Sequence, residues 1–74
     1  MEDKKEMEQI AERMISNKYG DKYEFRADET AKILDLRERS LGRYDSTLRP
    51  IEKSDRRKVY VRPRIVQHIV KKNS

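Results

Sequence analysis

The sequence contains no cysteine and no tryptophan, and only one histidine, two glycines and two prolines among its 74 residues. Without cysteine there is neither a disulfide framework nor a thiolate metal site, and His68 alone cannot assemble a zinc cluster. No metal and no cofactor is expected. Five residues are aromatic, 25 belong to the hydrophobic set, and no aliphatic run exceeds two residues. That supplies one small core and nothing for a deep substrate pocket, so an enzyme is not expected. It also supplies no segment suited to a bilayer or a signal peptide, which points to a cytoplasmic protein that leaves membranes alone.

What the chain does have is charge. Asp, Glu, Lys and Arg make up 45% of it, against roughly 25% in an average soluble domain. Nineteen basic side chains outnumber fourteen acidic ones, for a net +5. The excess is uneven: residues 1–31 carry nine acidic and six basic groups, residues 32–74 five acidic and thirteen basic, and from Arg56 onward all seven charged residues are basic. A basic half of this density fits a polyanionic partner, with phosphate the commonest source of the charge.

Periodicity divides the chain into short elements. Met7, Ile10, Ala11, Met14 and Ile15 form a helical apolar stripe in residues 1–20, closed by Gly20. That stripe can pack on the rest of the chain, on a second copy or on a partner, with Met7, Ile10 and Met14 the candidate contacts. Tyr23 and Phe25 alternate with polar neighbours as in a strand, and Asp28-Glu29 open a second helix whose apolar face is Ala31, Ile33 and Leu34. A third helix, from about Glu38 to Leu48, has Leu41, Tyr44 and Leu48 as its apolar positions and ends before Pro50. Ile51 and Val59-Tyr60-Val61 flank a polar stretch and read as a β-hairpin with Lys53, Arg56, Arg57 and Lys58 at its tip. Arg62-Pro63 then start a last helix with Ile65, Val66, Ile69 and Val70 as its stripe, and the final two or three residues read as a tail.

Two short helices a few residues apart, followed by a basic hairpin, resemble a helix-turn-helix with a wing. Tyr23 and Phe25, the helix Asp28–Leu34, then Ser40, Leu41, Arg43 and Tyr44, the wing Arg56–Val61 and the opening Arg62-Pro63 together resemble the winged helix-turn-helix of phage and transposon excisionases, relatives of the MerR-type DNA-binding domain. The resemblance spans residues 23–72, with Asp35 where the family often carries glycine. It implies a mainly α fold with a small β-hairpin (α+β): a DNA-binding domain over residues 21–74, and an additional amphipathic helix in residues 1–20.

The residue types suit that role. Arg39 and Arg43 lie four apart, on one face of an α-helix, with Ser40, Ser46 and Thr47 nearby. Arginine can bond guanine bidentately, and hydroxyls reach phosphates or base edges. Gly42 between them either lets a neighbouring helix pack closely or lets backbone approach DNA. Lys53, Arg56, Arg57 and Lys58 suit phosphate or minor-groove contact, and Arg37 and Arg62 join the set. Tyr60 either lies over the sugar-phosphate backbone or covers the outer face of a two-stranded sheet, while His68 reads as a partly buried helix residue.

Two roles follow as expectations. One is a non-enzymatic, nucleoid-associated protein of a mobile element that binds double-stranded DNA, with several copies in tandem, as an excisionase, recombination directionality factor or transcriptional regulator. The other is an accessory subunit that holds a recombinase or other DNA-processing enzyme through its first helix.

Overall fold

The computed structural model describes residues 3–72, so Asn73 and Ser74 of the expected tail lie outside the described residues. The architecture is mainly α with a small antiparallel sheet. In chain order it runs α1 (Asp3–Tyr19), β1 (Glu24–Arg26), α2 (Ala27–Leu34), a 3₁₀ segment (Glu38–Tyr44), α3 (Asp45–Leu48), β2 (Ile51–Glu52), β3 (Lys58–Val61) and α4 (Arg62–Lys72).

The stripe of α1 divides between two faces. Ala11 and Ile15 are almost wholly buried, and Met7 packs against the same core, so residues four apart form the inward seam. Ile10 and Met14 stand outside it, 53% and 56% exposed. Gly20 ends the helix in the left-handed conformation, φ 63°, where a side chain would be strained, and its N–H returns to the Ser16 carbonyl at 2.8 Å. The seam of α1 packs chiefly on α4, whose Ile65, Val66 and Val70 are buried. The first helix therefore shares one core with the rest of the chain.

The hairpin β2–β3 gains a third strand. β1 pairs antiparallel with β3, giving the order β1-β3-β2, and the register sets Phe25 opposite Tyr60. Both rings are buried beneath the helices, and Tyr19 meets Phe25 edge-on with ring centroids 5.3 Å apart. Tyr60 thus lies inside the core, neither over a DNA backbone nor on an outer sheet face. Burial, then the nearby Asp45 and Glu38 carboxylates, hold its hydroxyl above the ordinary phenol range.

Helix α2 is fixed at both ends. The Glu29 carboxylate accepts the Arg26 N–H at 2.9 Å and the Lys22 ammonium at 2.5 Å, and these two bonds hold it below the usual carboxylate range. At the other end Asp35 takes the left-handed position, φ 57°, while Leu36 N–H bonds the Ala31 carbonyl at 2.8 Å. This is a Schellman termination with an aspartate in the place glycine favours.

The expected third α-helix is a composite. Glu38–Tyr44 winds as a 3₁₀ helix, and only Asp45–Leu48 is α. Its apolar spacing permits this as well as it permits an α-helix: the step from Leu41 to Tyr44 is three residues, matching a 3₁₀ turn, and the step to Leu48 is four, matching an α turn. Ser40 and Gly42, both weak α formers, lie in the 3₁₀ part. Arg49 follows in the left-handed region, φ 44°, ahead of Pro50.

Arg62 ties these pieces together. Its backbone N–H bonds the Tyr23 carbonyl at 2.8 Å. Its guanidinium donates to the Glu12 carboxylate at 2.6 Å, to the Gly20 and Lys22 carbonyls at 2.8 and 3.0 Å, to the Glu12 carbonyl at 3.2 Å, and to the Ser16 hydroxyl. With its side chain only 12% exposed, Arg62 is an internal clamp and not the DNA contact expected of it. Lysine lacks the planar fork for five such bonds. Arg62→Lys is expected to lower the unfolding free energy by about 2–3 kcal/mol in urea titration. A drop below about 0.5 kcal/mol would contradict the clamp.

His68 on α4 is 5% exposed, its ring edge-on to Tyr44 at 4.8 Å. Burial first, then Lys72 and Lys71, push its pKa below the ordinary value. As pH falls, the unfolded chain then takes up this proton before the folded one does. Stability from this site is complete above about pH 6.5 and declines as pH drops below it. Thermal melts of the wild type should show that decline as pH is lowered past about 6.5, and His68→Gln should flatten it. An equal slope in both proteins would remove His68 as the cause.

Candidate nucleic-acid interface

The 3₁₀ winding rearranges the side chains of the 38–48 segment. At three residues per turn, positions three apart eclipse. Leu41 and Tyr44 therefore align toward the core, with the exposed Glu38 at the head of their row, Arg37, Ser40 and Arg43 form a second row, and Arg39, Gly42 and Asp45 a third. Arg39 and Arg43 fall on adjacent rows and not on the single face a four-residue spacing gives in an α-helix. Arg37, Arg39 and Arg43 are exposed, with Ser40 partly covered. No carboxylate pairs with any of the three arginines among the described residues.

Gly42 lies between them on open surface. A Cβ built there would meet no atom within 4 Å, so close packing of a neighbouring helix does not account for the glycine. Ser46 on α3 continues the exposed surface, whereas Thr47 is partly covered on the side of α3 that faces α4.

The hairpin presents a different kind of surface. Arg56 N–H closes the tip onto the Lys53 carbonyl at 2.9 Å, and Arg56 itself holds φ 67°, a position that costs a non-glycine residue about 1 kcal/mol. Three of its four cations have carboxylate partners: Lys53 with Glu24 at 3.6 Å, Arg57 with Asp55 at 2.6 Å, and Lys58 with Asp45 at 3.5 Å. Backbone and side-chain bonds from Arg57 hold Asp55 below the usual carboxylate range. All six partners are between 44% and 70% exposed, so these pairs are screened and readily exchanged for another anion. Arg56 has no such partner among the described residues.

A groove separates the hairpin from the start of α2 and of the 3₁₀ segment. Glu24, Asp28, Glu38 and Asp55 line it together with Arg26, Lys53, Arg57 and Lys58. Its charges balance, and its carboxylates disfavour phosphate inside it. The uncompensated cations Arg37, Arg39, Arg43 and Arg56 are exposed and do not line this groove.

The expected contact residues therefore sort into three groups. Arg37, Arg39, Ser40, Arg43, Ser46 and the hairpin residues Lys53, Arg56, Arg57 and Lys58 lie on accessible surface. Tyr60 and Arg62 belong to the interior framework. Thr47, and with it the exposed Ser46, lines a second groove, between α3 and α4, with Arg49 and Arg64, two arginines that sequence spacing did not single out. Their common signal was weak: Arg49 precedes Pro50 and Arg64 follows Pro63, and neither sits in a cluster of basic residues.

Of the expected partner contacts, Ile10 and Met14 are exposed and Met7 is packed inward. No group of three or more His, Asp or Glu side chains able to hold a metal ion occurs among the described residues, and none of their helices is long and apolar enough to cross a membrane. Comparisons with protein-family models, curated proteins and solved structures give no match to this chain.

Proposed function

We propose that the protein binds duplex DNA without catalysing a reaction, placing the 3₁₀–α3 segment in the major groove and the hairpin tip against an adjacent backbone or minor groove. One observation carries this: Arg39 and Arg43, exposed and unpaired among the described residues, flank a glycine that faces open space. Arginine reads guanine through a bidentate fork, and a bare Cα lets main chain approach a phosphate or base edge. The order β1, α2, 3₁₀–α3, β2, β3, with β3 central in the sheet, is compatible with a winged helix-turn-helix. The biological role that fits best is that of an excisionase, recombination directionality factor or small transcriptional regulator of a mobile element.

Such binding releases counterions. With some five to seven phosphates engaged, log K should fall against log salt with a slope near −4 to −6. Arg43→Ala should weaken a selected site by about tenfold or more while random duplex is affected much less. Gly42→Ala should leave the fold intact, or slightly firmer, and weaken binding. Equal weakening on both DNAs would remove Arg43 from base reading, and unaltered binding by both variants would contradict this docking.

A second reading rests on a different surface. Exposed Ile10 and Met14 adjoin a slot between α1, α2 and α4 lined by Tyr19, Ile33 and Ile69, with Lys18 and Lys32 at its rim. This surface suits contact with a larger recombinase or other DNA-processing enzyme. Removing α1 cannot test it, because Ala11 and Ile15 belong to the core. Met14→Glu can: the accessory role predicts unchanged duplex affinity with loss of excision or repression in a reporter cell. Full cellular activity of that variant would contradict it.

A further inference from the structure

A second basic surface lies at the far end of the same segment. The groove between α3 and α4 is lined by Lys4, Thr47, Arg49, Arg64, Gln67 and Lys71, among others, and by no carboxylate. Arg49, Arg64 and Gln67 also line the adjoining groove, which continues past Tyr23, Ile51 and Pro63 and carries one acidic residue, Glu24. The two arginines are exposed and have no carboxylate partner among the described residues. The Gln67 amide donates to the Glu8 carboxylate at 3.0 Å, and Glu24 is paired with Lys53 at 3.6 Å. Arg49 holds its place in a left-handed conformation, pinned by its N–H on the Asp45 carbonyl at 2.7 Å, where glycine or asparagine would be less strained. Four cations converge here on one trough between low-dielectric protein walls, which focus positive potential into it.

We propose that this α3–α4 trough binds a phosphate backbone, and that Arg49 and Arg64, supported by Lys4 and Lys71, are the residues that hold it. The site presupposes the duplex-binding role proposed above and gives it a second edge. Summed along their own axes, the seven 3₁₀ residues and four α residues rise at most about 20 Å, whereas the major groove is about 12 Å wide. A segment crossing that groove therefore brings its two ends to the two bounding phosphate strands. The hairpin cations flank the segment from Glu38 to Asp45, where Lys58 pairs at 3.5 Å, and the trough lies beyond them at Ser46–Arg49. The chain then grips the duplex on both sides of the reading segment.

The test compares wild type with an Arg49→Asn/Arg64→Gln double variant on a selected duplex, on random duplex and on phosphatidylserine vesicles. Asparagine tolerates the left-handed position, and thermal melts check that the fold is retained. The proposal predicts a salt slope shallower by about 0.9 for each phosphate no longer engaged, and affinity reduced about ten- to a hundredfold, alike on selected and random DNA. Arg64→Lys, which keeps the charge, should hold most of the slope. An unchanged slope in the double variant overturns the trough and leaves the Arg43 result standing. Weakening confined to the vesicles, with duplex binding intact, overturns it in favour of a lipid headgroup. Failure of the wild type to bind any duplex removes the proposed function and this site together.

Discussion

The guanidinium of Arg62 is the point at which this small chain is held together. It opens α4 directly after β3, reaches the C-terminal half of α1 through Glu12 and Ser16, and takes the carbonyls of Gly20 and Lys22 in the turn beyond that helix. Those carbonyls are left without helical partners where α1 ends, and a cation suits that pole of the helix. A core of 11 buried hydrophobic residues among the described ones is modest for a chain so rich in charge. One arginine joining α1, β1, β3 and α4 fixes the angle at which those apolar faces meet. The sheet depends on this junction too, because Arg62 N–H extends the β1–β3 ladder to Tyr23.

With the interior fixed, the surface divides by how its cations are matched. Lys22, Arg62 and three of the hairpin cations have carboxylate partners. The arginines around the 38–49 segment, by contrast, find none among the described residues. An anion arriving there replaces water and not a carboxylate, so it binds without first breaking an ion pair. Left-handed arginines at positions 49 and 56 bracket the segment and the hairpin tip, each at a cost that a glycine would avoid. Strained backbone thus coincides with two ends of the basic surface.

Much of this was legible in the sequence, and the gaps have physical causes. The helices α1 and α4, the acidic start of α2 and the basic hairpin follow from local spacing, but spacing did not show that Ile10 and Met14 of the α1 stripe stand outside the core. The third strand was not legible in the same way, since pairing Phe25 with Tyr60 joins distant positions and Glu24–Arg26 is too short to signal a partner. Leu41, Tyr44 and Leu48 fit an α stripe and a 3₁₀–α composite equally well, so the winding was ambiguous and the row holding Arg39 and Arg43 was misplaced with it. Arg62 looked like one more surface cation because its partners, Glu12 to Lys22, are far away in sequence. Arg49 and Arg64 were overlooked for a related reason: only tertiary packing of α3 on α4 brings them together.

The proposed function puts nucleic acid on the outer surface of the 37–49 segment and the hairpin tip, and not on the apolar flank of α1. Titrating the isotope-labelled protein with duplex DNA and following backbone amide shifts tests this most directly. The account predicts saturable shifts concentrated at Arg37–Arg43, Ser46–Arg49 and Lys53–Lys58, fading as salt is raised, with Ile10 and Met14 undisturbed. Shifts centred on Ile10, Met14 and Ile33, or none that saturate, would contradict it.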